Sequence, residues 1–274
     1  MHRGLYAGKE YWDRLDPHER LRHILRSLSQ WHERWAFCGA SAAVMHGLDC
    51  SYRQLHPIHV AVGRNSRPRN QRYVRFHVLD DAETVAVDGA RVTSILRTLV
   101  DCAAMMPRRY AMAPIDSALR QGKTTVEQML EYVDAIPMLR DRERIRAVLA
   151  QGDGRVENGG ESECRAVLDE LGFPVHRVQV EFPCLSHPGR VHRVDFLWER
   201  DDGTLIAGEL DGVQKYVDPL MTAGWTIRQV VDDERDRQQC LSRRGVDMVR
   251  MFYRRRKPKK LFCARHNVPA SQIF

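Results

Sequence analysis

"TLIAGELDG", residues 204–212, begins as an apolar run of strand length and ends in two carboxylates, Glu209 and Asp211, two positions apart. Side chains alternate across a strand, so Leu205, Ala207, Glu209 and Asp211 share one face, and Ile206, Gly208 and Leu210 share the other. Like charges a few ångströms apart repel and raise each other's pKa, so two acids placed this way call for a cation. The preceding strand-like stretch "VHRVDFLWE", residues 191–199, carries Asp195, joined to the first by the turn "RDDG". Neighbouring strands lie about 4.8 Å apart, which lets Asp195, Glu209 and Asp211 converge on one hard ion, Mg2+ or Mn2+.

The elements around this pair form a definite order. "ESECRAVLDELG" (161–172) has helical periodicity with Gly172 at its end, and "VHRVQVEF" (175–182) alternates as a strand. A charged helix over 227–244, anchored by Val230, Val231 and Leu241 and stopped by Gly245, precedes the strand "VDMVRMF" (246–252). The sequence predicts αβββαβ, with Asp195 on the second strand and Glu209 and Asp211 on the third. Glu161, at the start of the first helix, adds a fourth oxygen donor or holds a metal-bound water.

This set suits phosphodiester hydrolysis, in which a metal ion makes hydroxide available near neutral pH and neutralises charge building on the phosphate. Lys215, four residues after Asp211, is the nearest cation in sequence to polarise the water or stabilise the leaving oxygen. Each acid also has an ordinary structural reading. Asp195 can pair with Arg193 or Arg165, Asp211 with Gly212 forms a turn, and Glu161 suits a helix N-terminus. Taken jointly, their order points to a metal site.

The first 150 residues read as a mixed α/β unit. Asp16 and Pro17 mark the start of a helix, with Leu15, Leu21, Ile24, Leu25 and Leu28 at helical intervals, and "WAFCG" and the alternating "IHVAV" and "RYVRFHV" read as a short apolar piece and strands. Asp88 and Gly89 form a hairpin turn signal between two β-rich arms, and three helical stretches follow, with Gly122 ending the second. Residues 151–160, "QGDGRVENGG", hold four glycines among polar residues and suggest a linker, or else a loop of the acidic site. The expected organisation is a domain over 1–150, a linker over 151–160 and a second domain over 161–274.

The stretches "ESECR", "LGFPVHRVQV", "RVDFLW", "GELDGVQKY" and "ERDRQQCLSRRGVDMVR" together resemble the restriction-endonuclease-like PD-(D/E)xK superfamily, in its branch related to very-short-patch-repair (Vsr) endonucleases. The resemblance covers about a third of the chain. It implies that Asp195 and Glu209 bind the metal, with Glu161 assisting. The chain departs from the pattern at Asp211, where many active members carry lysine, and this puts catalysis in question. "SAAVMHGL" (41–48) and "VDGARVTSILRTLVDCA" (87–103) resemble AbiEi-type antitoxin domains, with Ser41 and Thr93 or Ser94 as helix caps and the apolar residues as core. The roughly 40 residues before Ser41 are short for the winged helix-turn-helix found in many relatives.

The chain has 274 residues, 43 Lys and Arg against 36 Asp and Glu, and a net charge of +7. In "RMFYRRRKPKK", residues 250–260, seven cations crowd into eleven positions, which suits a DNA backbone or a solvated basic tail. Arg237, Arg250, Arg254, Arg255, Arg256 and Lys257 are the candidate phosphate contacts, without base choice. The seven cysteines stand singly with no CxxC spacing, which argues against a disulfide framework and against structural zinc. His46, His56 and His59 lack companion ligand spacing and read as ordinary polar residues. No apolar stretch is long enough to span a bilayer and the start lacks a secretory block, so a cytoplasmic, membrane-free protein is expected. Two functions follow: a Mg2+-dependent endonuclease acting on DNA, or a nuclease-fold DNA-binding antitoxin or transcriptional regulator without chemistry, with a cognate toxin as a further partner.

Overall fold

Asp16 and Pro17 fix where the first long helix begins. The Asp16 carboxylate accepts from the backbone N–H groups of His18 and Glu19, at 2.7 and 2.9 Å, and Glu19 accepts from the Asp16 N–H at 2.8 Å. This capping box satisfies donors that the first turn leaves open, and Pro17 gives up no useful hydrogen bond there. The computed structural model describes residues 5–66, 68–80, 82–211, 227–253, 261–263 and 268–269.

Two compact units divide the chain, 1–163 and 164–274. The first contains α1 (Lys9–Arg14), α2 (Pro17–Trp31), β1 (Ala36–Phe37), α3 (Gly39–Met45), β2 (Ile58–Val62), β3 (Val74–Val78), β4 (Thr84–Val87) and β5 (Ala90–Thr93). After these come α4 (Ile95–Met105), α5 (Arg108–Arg120), α6 (Val126–Ala135) and α7 (Arg142–Leu149). Its sheet runs β3-β2-β1-β5-β4 and is mixed: β1 is antiparallel to β2 and parallel to β5. Leu25, Phe37, Ile58, Leu99 and Ile115 are fully enclosed, each contributing about 1.5 to 3 kcal/mol by burial. Asp88 and Gly89, at φ +51° and +75°, make the tight β4–β5 turn.

Ser41 does not cap α3. That helix starts two residues earlier at Gly39, which adopts φ +51°, and the buried Ser41 hydroxyl accepts from the His59 N–H at 2.9 Å, fastening α3 to β2. Ser94 does cap α4, accepting from the Arg97 N–H at 3.4 Å.

The glycine-rich stretch 151–160 packs as part of the first unit. A Cβ at Gly152 would lie 2.6 Å from Leu119 Cδ1, and one at Gly154 would lie 3.0 Å from the Leu119 carbonyl carbon, so these glycines allow the backbone to lie directly on α5. The Asp153 N–H donates to the buried Asp116 carboxylate at 2.8 Å, and Val156 is 1% exposed. Glycine content here reflects close backbone approach.

The second unit takes the order αβββαβ. Helix α8 (Gly159–Glu170) runs across the division and is followed by β6 (Arg177–Pro183), β7 (Val191–Glu199), β8 (Leu205–Leu210), α9 (Ile227–Arg243) and β9 (Val246–Tyr253). Short strands β10 (Leu261–Cys263) and β11 (Val268–Pro269) complete a sheet ordered β11-β10-β9-β8-β7-β6. Strands β6, β7 and β8 form an antiparallel meander, while β9 pairs with β8 in parallel after the α9 crossover. Val194, Leu197, Ala207, Leu241 and Val246 form its packed centre. No helix among the described residues is long and apolar enough to cross a membrane.

Candidate functional site

Sheet register decides where the acids go. Phe196 pairs with Gly208, so one step further along the antiparallel ladder Asp195 stands opposite Glu209, and the two carboxylates rise from one face. The Asp195 Oδ2 accepts from the Leu210 N–H at 2.9 Å. Gly208 is required by packing: a Cβ there would stand 2.7 Å from the Trp198 ring and 2.9 Å from Met251 Cε. The parallel neighbour β9 places Arg250 beside Glu209, and the Met251 carbonyl accepts from the Asp211 N–H at 2.8 Å.

Helix α9 brings a second arginine. Arg237 donates through Nη2 to Glu209 Oε1 and to the Arg193 carbonyl, the latter at 2.5 Å. Its Nη1 lies 3.6 Å from Glu234 Oε2, one helical turn earlier. Glu234 Oε1 in turn accepts from Arg250 Nη2, and Arg250 Nη1 lies 3.6 Å from Asp211 Oδ2. The result is an alternating chain: Glu209, Arg237, Glu234, Arg250, Asp211. Burial pushes the Arg237 guanidinium below its ordinary range, against an upward pull from Asp195. Glu209 is 7% exposed, and in that setting a fixed guanidinium is a strong partner.

This arrangement does not fit a divalent cation at the acids as they stand. Glu209 and Asp211 are each engaged by an arginine of the chain, and Asp195 accepts a backbone N–H. Arg237 and Arg250, expected on phosphates, are directed to carboxylates. Glu161 belongs to the first unit and is 5% exposed; its Oε2 accepts from the Glu157 N–H at 3.0 Å and its Oε1 from Asn158 Nδ2 at 2.5 Å, closing the turn that opens α8. Lys215 and the cations Arg254, Arg255, Arg256 and Lys257 lie outside the described residues.

Two arrangements leave little trace in the sequence. In the first unit, Arg97 and Asp101 form a buried pair at 2.9 Å, one turn apart on α4. The i, i+4 spacing in "RTLVD" was its only trace. In the second unit, Cys184, His192 and Cys240 come together, with one ligand atom from each within 4.8 Å of the others. Cys240 stands 56 residues beyond Cys184, and only folding reveals their proximity.

Residues 35–151 match the family described as the AbiEi antitoxin C-terminal domain. Two uncharacterized proteins of Mycobacterium tuberculosis, one from each of two strains, are 29% identical to this chain over 213 residues, covering 72% of it and 74% of each relative. The family match falls within the first unit.

Proposed function

We propose that the chain is a DNA-binding, antitoxin-like regulator whose second unit keeps a nuclease-like layout of acids without hydrolysing DNA. The Arg237–Glu209 pair carries this reading. Removing one partner of a buried ion pair costs about 3 to 5 kcal/mol. A cation reaching these carboxylates has to displace Arg237 from Glu209 and Arg250 from Asp211, which sets the cost of those contacts against its binding. Asp211, at the position where many active members of the resembled superfamily carry lysine, agrees with this.

The likeness of residues 35–151 to an antitoxin domain supports pairing with a protein toxin through the first unit. Net charge of +7 supports attraction to nucleic acid. With Arg237 and Arg250 committed to carboxylates, we assign phosphate contact to Arg254, Arg255, Arg256 and Lys257. The opposing observation is the Asp195–Glu209 juxtaposition, which favours a Mg2+-dependent endonuclease.

Fluorescence anisotropy with a labelled duplex across a salt series, paired with a plasmid-nicking assay in Mg2+, separates the two. The regulator binds with a salt slope that shrinks when Arg254, Arg255, Arg256 and Lys257 are replaced by Ala, each lost contact reducing it by about 0.9, and leaves the plasmid intact. Nicking by the wild type that disappears in Glu209→Ala establishes the enzyme instead. Absence of DNA binding at low salt overturns both.

A further inference from the structure

The β6–β7 connection gathers thiol and imidazole side chains. Cys184 follows β6 directly, His187 lies within the turn, and His192 is the second residue of β7, paired with Phe182. The turn is closed by hydrogen bonds from the Cys184 N–H to the Arg190 carbonyl at 2.7 Å and from the Arg190 N–H to the His187 carbonyl at 3.1 Å, with Gly189 at φ +88°. Helix α9 contributes Cys240 to the same place, and Cys240 Sγ accepts from the Leu185 N–H at 3.1 Å.

The distances match metal ligation. Two thiolates bound to zinc at about 2.3 Å in a tetrahedron stand about 3.8 Å apart. Cys184 Sγ and Cys240 Sγ are 3.8 Å apart, and both thiols are free. The exposed His187 stands outside that trio, with its Nδ1 3.8 Å from Cys184 Sγ. His192 is 3% exposed, with one nitrogen in the cluster, and its Nε2 is buried without a hydrogen-bond partner. A buried polar atom left unsatisfied costs about 1 to 3 kcal/mol, so the Nε2 atom leaves this imidazole with a deficit.

We propose that Cys184, His187, His192 and Cys240 form a Cys2His2 site for Zn2+ that ties the β6–β7 turn to α9. Two thiolates and two imidazoles select a borderline-soft ion over Mg2+ or Ca2+, and four protein ligands close the site, so the role is structural. The two cysteines bind as thiolates, releasing two protons to solvent. The Leu185 N–H supports one sulfur from outside the ligand set. Cys240 is one turn beyond Arg237 on α9, so the ion fixes the segment of helix that presents Arg237 to Glu209. This inference does not depend on the proposed function.

The test uses the full chain. Zinc is measured by plasma mass spectrometry on protein purified without chelator, and Co2+ is titrated into the chelator-stripped, phosphine-reduced chain. Expected are one zinc per chain and a tetrahedral Co2+ spectrum with thiolate-to-metal charge transfer, lost in Cys184→Ser and in Cys240→Ser and reversed by a chelator in the wild type. Because the wild-type spectrum alone reports the ligands, a variant that fails to fold leaves the test intact. Substoichiometric zinc together with no charge-transfer band in folded, reduced wild-type protein overturns the proposal. So does a Cys184–Cys240 disulfide whose reduction restores no metal uptake.

Discussion

Arg237 on α9 donates to Glu209 on β8, 28 residues away, and thereby puts a guanidinium where the acids of the third strand would otherwise need a metal. The pairing joins the crossover helix to the sheet and gives the acidic strand end its counter-charge. Removing Arg237 should therefore leave an uncompensated buried carboxylate.

Arg237→Ala is expected to lower stability by about 3 to 5 kcal/mol in urea unfolding followed by circular dichroism. Replacing both partners with apolar residues, Arg237→Leu with Glu209→Met, should recover most of that loss, since neither charge then remains buried alone. A single-variant loss below about 1 kcal/mol, the range of exposed pairs, would show that the pair is not held as described.

Gly154→Ala should destabilise the first unit by about 1 to 3 kcal/mol through overpacking, because its Cβ would press on the α5 backbone at Leu119 and Arg120. Gly189→Ala tests a different constraint, the strain of positive φ rather than lack of space. Thermal unfolding unchanged in Gly154→Ala would return residues 151–160 to the status of a linker.

His59 and His77 stack with ring centroids 5.0 Å apart and share a 2.8 Å hydrogen bond from ring nitrogen to ring nitrogen. Burial first, then the neighbouring His77 and Arg75, push His59 down to about 4. The unfolded chain takes up this proton near 6.5 while the folded chain stays neutral. Its contribution to stability is therefore complete above about pH 6.5 and is lost as pH falls toward 4. Histidine NMR should find the His59 ring titrating near 4; a midpoint near 6.5 contradicts the buried pairing.

The sequence made the αβββαβ order legible because each element carried its own punctuation: Gly172 and Gly245 after helices, the 200–203 turn between strands, and apolar runs of strand length. Strand spacing left the opposition of Asp195 and Glu209 conditional on register, and the Phe196–Gly208 pairing supplies that register. The partners were not legible. Arg237 is one of several arginines on a charged helix, and only the angle of α9 across the sheet selects it for Glu209. Likewise Cys184 and Cys240 stood apart as single cysteines, since ligand pairs drawn from a hairpin and a distant helix leave no spacing signature. Glycines at 151–160 misled for a related reason: the residue that frees a linker is also the one that lets backbone touch backbone.

Calorimetric titration of Mg2+ into the full chain tests most directly whether arginine has taken the place of metal at the acids. Mg2+ is the suitable probe because it does not compete for thiolates. No saturable heat is expected for the wild type at millimolar Mg2+. A one-to-one isotherm in the wild type that vanishes in Glu209→Ala would contradict it.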